Sequence, residues 1–318
     1  MAKTTSPKKV GAMFSSVLGD SEPASFAEAT LNGWAPDGGM YWPTTIEPVP
    51  HETLVAWGGL SYPRLCEEVL KCFIPADCGD ISRADLASIV SAAFGAFGTN
   101  SVLKVQPLQD GEGELHVVEL WHGPTLAFKD LGMAVLGRVL RHLLYRRRER
   151  LMLLVGTSGD TGSSAMEAVR GLAGIDILVL YPLQGFSSIS PVQEMQMTAV
   201  AEAASNVHLM GVEGSSDDLD VPLERLFCDR QFKATHRLGS VNSVNVVRLL
   251  VQVVPYFYTY CRLAPAADRV VHFAVPCGAG GHLAAGLLAL QMGLPARLMV
   301  TTNTSNPPPT LLTHHQHL

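Results

Sequence analysis

The stretch LMLLVGTSGDTG, residues 151–162, joins an apolar run to a loop of glycine, serine and threonine. An apolar run of this length that stops at small polar residues is typical of a buried strand that turns into a helix. From about residue 115 onward, short β-branched or leucine-rich runs alternate with helical patterns, which predicts an α/β fold of βαβ units and doubly wound parallel sheets. Ligands of such folds bind where strands end and helices begin, so these loops are the candidate functional site.

The sequence pattern divides the chain into four segments. Up to about residue 100 the chain is rich in proline, glycine and turn residues, which predicts a smaller N-terminal domain. The segments are a divergent N-terminal segment 1–24, an N-terminal domain 25–105, an α/β domain 106–304 and a divergent tail 305–318. Helices are predicted over 62–73, 82–97, 130–148, 219–233, 242–260 and 282–292.

The composition argues against several classes of function. A net charge of -6 argues against a general polyanion binder, and the basic run RRRER at 146–150 is interpreted as a solvated helix end. No apolar run reaches the ~20 residues of a membrane span. Six cysteines without paired spacing predict free thiols rather than a metal site, so we expect a cytoplasmic protein. Secretion is the alternative, because Lys8 and Lys9 precede a short apolar stretch.

The stretch HGPTLAFKDLG, residues 122–132, places one lysine behind a Gly-Pro turn and an apolar Leu-Ala-Phe triplet. Apolar surroundings disfavour the ammonium form of Lys129 and lower its pKa, which suits an amine that must attack a carbonyl. Asp130 follows directly, and we expect it to cap the helix that starts there rather than to pair with the lysine.

Two glycine-rich loops follow predicted strands. GTSGDTGSSA, residues 156–165, brings small residues and hydroxyl groups to a helix start, which suits an anion, although a tight turn with an N-cap explains the pattern equally well. CGAGGH, residues 277–282, repeats the device and matches neither the Rossmann fingerprint nor a P-loop. Two anion sites and one lysine in an apolar pocket together indicate an aldehyde cofactor that bears a phosphate and a substrate that bears a carboxylate.

An ordered series of further motifs runs along the chain. The motifs are SFAEATLNGWAPDGGMYWP from residue 25, ELWHGPTLAFKD from 119, TSGDTG from 157, SISPVQEMQM from 188, GSSDDLD from 214, NSVNVVRLLVQ from 242, VPCGAGGHLAAGLLALQMGLP from 275 and VTTNTSN from 300. From about Ser25 to about Asn303 this series resembles the threonine synthase family of pyridoxal 5'-phosphate (PLP) enzymes, and in particular its vertebrate threonine synthase-like type 2 branch. The resemblance implies PLP fold type II, the architecture of the tryptophan synthase β chain.

The resemblance also implies roles for individual residues. Lys129 would bind PLP as a Schiff base and later move protons at the substrate. The residues that would hold the cofactor are Gly278, Ala279, Gly280, Gly281 and His282 at its phosphate, and Asn242 or Asn245 at its ring, with helix packing the alternative for both asparagines. The residues that would hold the substrate carboxylate are Thr157, Ser158, Gly159, Asp160, Thr161 and Gly162.

The chain departs from the family pattern in three places. No arginine occurs in FSSVLGDSEPA, where the family has Tyr-x-Ser-Thr-Arg-Gly, and His282 ends the cofactor loop where the family has other residues. The family's later part is replaced by PPPTLLTHHQHL. This implies a C-terminally truncated or alternatively spliced form, in which the helices predicted over 242–260 and 282–292 would expose apolar faces.

The implied activity is that of a PLP-dependent phospho-lyase or threonine synthase. Its substrate would be O-phosphohomoserine or O-phosphothreonine, its products either 2-oxobutyrate, ammonia and phosphate or threonine and phosphate, and truncation would impair its turnover. The alternative is a non-catalytic product that binds a protein partner or itself through the exposed face, or acts as a secreted signalling factor. Neither a nucleic acid nor a membrane is an expected partner.

Overall fold

The computed structural model describes residues 13–76, 79–98, 101–108, 114–157, 159–183, 189–278 and 280–302, so the predicted tail 305–318 lies outside it. The strands are β1 (Met13–Ser16), β2 (Ala24–Ser25), β3 (Tyr41–Pro43), β4 (Lys104–Leu108), β5 (Leu115–Glu119), β6 (Leu151–Gly156), β7 (Ile175–Pro182), β8 (Val207–Val212), β9 (Leu238–Gly239), β10 (Val271–Pro276) and β11 (Ala296–Thr301). The helices are α1 (Phe26–Asn32), α2 (His51–Trp57), α3 (Tyr62–Lys71), α4 (Arg83–Phe94), α5 (Lys129–Arg147), α6 (Asp160–Val169), α7 (Pro191–Ala203), α8 (Ser216–Cys228), α9 (Arg230–His236), α10 (Val246–Leu263) and α11 (Gly281–Gln291). Among the described residues, no helix combines the length and apolar character needed to cross a membrane.

The central layer is a four-stranded parallel sheet in the order β8-β7-β6-β9. Strand β6 is apolar because both of its faces are covered. Leu153 packs into the main hydrophobic core, whereas Leu154 packs with Leu219 and Leu223 of α8 on the opposite face. Successive side chains of a strand point to opposite faces, so a strand between two layers must be apolar throughout. The predicted α/β fold with parallel sheets is confirmed.

Strands β10 and β11 form a second, separate parallel sheet, with Val271 opposite Ala296. The strand expected near residue 115 joins neither parallel sheet, since β5 pairs antiparallel with β4. The connection between β4 and β5 is short, and parallel pairing requires a crossover of about a dozen residues or more. The parallel arrangement therefore begins at β6 rather than at residue 115.

The first described residues belong to an antiparallel sheet in which β1 lies between β2 and β3. Helix α1 follows β2 directly, and Ser25 and Glu28 form a capping box at its start. This box is a sequence signal for α1, which was not among the predicted helices, and neither was α2.

Helices α5 and α10 form the buried centre of the molecule. They approach closely at Gly132, where a Cβ atom would lie 3.4 Å from Cα of Arg248. Helix α10 is buried along almost its whole length and packs against α3, α5 and α11. The expectation that this helix exposes an apolar face is therefore wrong, because the N-terminal helix α3 covers it. Helix α11 exposes Leu287 at 41% but buries Leu288.

Two predicted helix boundaries differ from the structure for reasons that lie in capping. The segment predicted as one helix over 219–233 is divided at Asp229, whose carboxylate accepts a hydrogen bond from the N–H group of Phe232 and starts α9. Helix α10 starts at Val246 rather than at residue 242, because the side chain of Asn245 accepts from the N–H group of Val247. A capping side chain satisfies helix N–H groups that have no partner within the helix.

Candidate active site

A cavity of about 480 Å³ lies where β6 ends at Gly156 and β10 ends at Pro276. This volume is within the range of small-molecule sites. The cavity brings together predicted site residues that are far apart in sequence: Lys129, Thr157, Thr161, Asn242, Gly278, Gly280, Gly281 and His282. Ser158 and Ala279 lie outside the described residues.

Lys129 is the first residue of α5, and its side chain is 24% exposed. Its Nζ lies 3.6 Å from Oδ2 of Asp160 and 6.0 Å from the ring centroid of Phe128. Burial lowers the pKa of Lys129, the Asp160 carboxylate opposes that shift, and the Arg248 guanidinium adds to it. The predicted lowering of the lysine's pKa is confirmed. The sequence did not indicate that Asp160 and Arg248 shift this pKa in opposite directions.

Asp130 does not cap α5, contrary to our prediction. Its carboxylate accepts hydrogen bonds from the hydroxyl and the N–H group of Thr125, at 2.6 and 2.8 Å, and it is 3% exposed. Burial raises the pKa of Asp130, and the bonds from Thr125 act against this. Gly123 must be glycine, because a Cβ there would lie 2.4 Å from Cβ of Asp130. Asp130 thus holds the loop that precedes Lys129.

The loop after β6 is shaped by Thr157. Its hydroxyl oxygen accepts hydrogen bonds from the N–H groups of Gly159, at 2.9 Å, and Gly162, at 3.0 Å. A Cβ on Gly162 would lie 2.6 Å from Sδ of Met197, so α7 packs directly on this turn. The hydroxyl of Thr157 is therefore engaged in hydrogen bonds within the loop. Among the described residues of the loop, Thr161 is the other hydroxyl residue that lines the cavity.

The glycine loop after β10 leaves open space beside its backbone. Cβ atoms built on Gly278 and Gly280 would meet no atom within 4 Å, and the one on Gly281 would lie 3.8 Å from Cβ of Ser243. Gly280 has φ of 81° and precedes α11, a conformation that favours glycine. Backbone N–H groups at a helix start with free space beside them suit a phosphate.

Comparison with known proteins adds to this geometry. The family model described as threonine synthase N terminus matches residues 13–94. The chain is 40% identical over 297 residues to threonine synthase-like 2 of Rattus norvegicus, a match that covers 92% of this chain and 59% of that protein. It shares 38% identity and a TM-score of 0.83 with the crystal structure of PLP-bound threonine synthase from Brucella melitensis, over 92% of this chain and 61% of that one. The chain belongs to the threonine synthase family.

Bacterial relatives of the threonine synthase family match over a similar extent. Threonine synthase of Pseudomonas aeruginosa is 38% identical over 292 residues, which are 92% of this chain and 60% of that protein. The chain thus spans about three fifths of the length of the relatives it matches.

His282 gives the cavity of this threonine synthase family member a neutral imidazole ring. The ring stacks on Tyr256 at 4.8 Å, and its Nδ1 is buried without a hydrogen-bond partner among the described residues. Burial lowers the pKa of His282 to about 4. At neutral pH the ring is therefore uncharged, and it can offer one N–H donor to the cavity.

Arg248 and Gln252 line the cavity although neither was among the predicted site residues. Arg248 is 2% exposed, donates from Nη1 to the carbonyl oxygen of Val241 at 3.1 Å, and leaves Nε without a partner in the described part of the chain. Burial lowers the pKa of Arg248 to about 10, so it stays charged at neutral pH. A polar pair four residues apart inside the apolar helix VVRLLVQVV was the signal for it. Arg248 forms no ion pair with a carboxylate among the described residues, and a buried cation of this kind at a cavity suits an anionic ligand.

The two candidate asparagines lie in different settings. Asn242 lines the cavity, and its Oδ1 is buried with no partner among the described residues. Asn245 is fully buried, and its side chain bonds to the carbonyl oxygens of Thr30 and Ser240 and caps α10. Asn242 is thus the asparagine with a free oxygen at the cavity, and its contact with a cofactor stays a prediction.

Proposed function

We propose that this chain binds PLP through Lys129 and acts with it on a phosphorylated hydroxy-amino acid. The observation that carries the proposal is one cavity in which a lysine of lowered pKa faces an open glycine loop and a buried arginine. A relative of known structure, the Brucella melitensis threonine synthase, has PLP bound. Membership of the threonine synthase family supports the same cofactor for this chain.

The residues around the cavity fit PLP. The amine of Lys129 would hold the aldehyde, and the open side of Gly278, Gly280 and Gly281 would hold the phosphate at the start of α11. The Oδ1 of Asn242, which has no partner within the described part of the chain, and the neutral His282 offer further polar contacts. PLP, when bound, supplies an electron sink for the charge that loss of the α-proton leaves on an amino acid.

Each of the chain's own residues would then have a limited task. Lys129 would take the proton from the substrate's α-carbon, a task that its lowered pKa favours. Arg248 would bind the substrate's phosphate, because it is a buried cation whose Nε has no hydrogen-bond partner among the described residues. The first turn of α6, with Thr161, would hold the substrate's carboxylate. The carboxylate of Asp160 would repel another carboxylate, so we assign it to Lys129 instead.

Two reactions are compatible with these tasks. O-phosphohomoserine and water would give threonine and phosphate, whereas O-phosphothreonine and water would give 2-oxobutyrate, ammonia and phosphate. Both begin with removal of the α-proton at Lys129. Phosphate release from each substrate, with paired assays for threonine and 2-oxobutyrate, distinguishes them.

The cofactor assignment is tested by the absorbance band of lysine-linked PLP in the purified chain. We expect Lys129→Ala to abolish the band. Lys233→Ala is the matched control, because burial lowers the pKa of Lys233 as well, although it does not line the cavity. A band that survives Lys129→Ala would contradict the proposal, and a wild-type chain without any band would favour the non-catalytic, protein-binding alternative.

We also propose a cytoplasmic location, which the free thiols of the described cysteines support.

A further inference from the structure

A chain of contacts links α7 to Lys129. The side-chain amide of Gln193 accepts from the N–H group of Ser190 at 2.9 Å through Oε1, and donates from Nε2 to Oδ1 of Asp160 at 2.6 Å. The other oxygen of Asp160 lies 3.6 Å from Nζ of Lys129. The amide of Gln193 thus links the start of its own helix, α7, to Asp160, the counterion of Lys129.

We propose that Gln193 is a positioning residue that holds the carboxylate of Asp160 against Lys129 and away from the first turn of α6. Its consequence for catalysis rests on the proposed function above, but the contact itself does not. Neither Gln193 nor α7 lines the cavity, so the residue acts through Asp160 rather than on a ligand.

Asp160 needs such a constraint because its position offers it a competing partner. It is the first residue of α6, where an aspartate side chain can turn back to the unpaired N–H groups of its own helix. Those N–H groups are the ones proposed for the substrate's carboxylate. The side chain of Asp160 is 46% exposed, so burial does not fix it. A hydrogen bond from Gln193 does.

The backbone is built to admit the amide of Gln193. A Cβ on Gly159 would lie 2.4 Å from Nε2 of Gln193 and 2.5 Å from its Cδ, and Gly159 has φ of 144°. A side chain at residue 159 would be strained and would push the amide away from Asp160. The glycine therefore serves the contact between Gln193 and Asp160.

The charges around Lys129 make its reactivity a readout of where Asp160 lies. The titratable and charged groups that line the cavity with it are Asp220 on α8, Arg248 on α10, Cys277 after β10 and His282 on α11. Asp130 is turned to Thr125 on the other side. Among the described residues, Asp160 is the carboxylate within 4 Å of Nζ. Displacement of Asp160 leaves the lysine with burial and Arg248, both of which favour the neutral amine.

The test measures how fast an amine-reactive reagent modifies Lys129 near neutral pH in the purified full chain without added cofactor, with mass spectrometry to resolve each lysine. We expect Gln193→Met to raise the rate at Lys129 by about three- to tenfold, because below its pKa the reactive amine fraction rises tenfold for each unit by which the pKa falls. Asp160→Asn should raise it at least as much. In the Asp160→Asn background, Gln193→Met should add nothing.

Two controls separate positioning from structural loss. Ser190→Ala removes the capping hydroxyl of α7 but keeps the contact between Gln193 and Asp160, so it should leave the rate at Lys129 unchanged. Lys233, half-buried on α9, reports general loosening, and its rate should not change in any variant.

The proposal is overturned if Gln193→Met leaves the rate at Lys129 unchanged while Asp160→Asn raises it, or if neither variant has an effect. A parallel rise at Lys129 and Lys233 would also overturn it, since that outcome means loss of structure. Absence of a PLP band would remove the proposed cofactor but would leave the labelling result intact, so the two failures are distinguishable.

Discussion

Gly278 affects which ligands the cavity can hold, because it has no side chain. It lines the cavity, and a Cβ built on it meets no atom within 4 Å, so a longer side chain has room to enter that space. We expect Gly278→Asp to weaken PLP binding at least about tenfold relative to Gly278→Asn, because the aspartate repels the cofactor's phosphate and the asparagine of equal size does not. Titration of the absorbance band measures both affinities. An equal loss in the two variants would mean that size rather than charge is at work.

Arg248 illustrates a residue that costs stability in exchange for binding. Burial of a guanidinium whose Nε has no partner among the described residues lowers stability, and well-packed apolar residues of similar volume often stabilise such positions. We expect Arg248→Met to keep or raise the melting temperature of the unliganded chain, by the equivalent of about 1 kcal/mol. The same variant should lose the stabilisation that millimolar inorganic phosphate gives the wild type. A variant that melts lower and still responds to phosphate would show that Arg248 is structural.

Single residues were predictable from sequence where a local pattern carried the signal. Lys129 and the glycine loops stand at strand-to-helix junctions, and the cavity lies at those junctions. Arg248 was not predicted as a site residue because its place in the site depends on α5, which passes beside it at Gly132. The prediction for Asp130 was wrong because an aspartate at a helix start usually caps it, whereas here both carboxylate oxygens accept hydrogen bonds from Thr125.

Elements were predictable to the extent that their ends are set by neighbours in sequence. The predicted parallel strands follow from apolar runs, but the antiparallel pairing of β5 depends on β4, which was not among the predicted strands. The division between α8 and α9 depends on one side chain, Asp229. The all-round apolar sequence of α10 indicates burial, but its packing against α3, far away along the chain, cannot be predicted from α10 alone.

Helix α11 links the pH dependence of stability to the cavity. The unfolded chain protonates His282 near its ordinary pKa of 6.5, whereas burial lowers the folded-state pKa to about 4. Between these values the unfolded chain binds more protons, so the free energy of unfolding falls as the pH is lowered from 6.5 toward 4. The ring is the second residue of α11, and the positive end of a helix also disfavours the imidazolium.

We expect His282→Asn to remove about 1–2 kcal/mol of that loss. Urea unfolding at pH values above and below this window measures the difference between the variant and the wild type. An identical loss of stability in both proteins would mean that another group titrates in this range.

Among the described residues, the main hydrophobic core joins the N-terminal part to the α/β part, and a small second cluster lies between β6 and α8. A single cluster of buried residues runs from Phe14 in β1 to Leu294 before β11, and α10 contributes to it beside the helices of the N-terminal part. Trp57 of α2 packs against Phe257 of α10 with ring centroids 5.4 Å apart. Segments that share a core are expected to unfold together, even where the sequence suggests separate domains. Since α10 also carries Arg248 into the cavity, the described residues of the N-terminal part support the site without lining it.

The shared hydrophobic core predicts the effect of Leu65→Ala, a truncation in α3 at a fully buried position. Three of the four tryptophans, Trp34, Trp42 and Trp57, lie in the N-terminal part, so the fluorescence reports mainly on that part, while the PLP band reports on the cavity. We expect the variant to lose about 2–4 kcal/mol of stability and to lower both melting midpoints by the same amount. Tyr145→Ala, at a side chain 83% exposed, should lower neither. Two separate transitions, with the PLP band unaffected by Leu65→Ala, would mean that the N-terminal part folds as an independent domain and that α3 does not stabilise the site through α10.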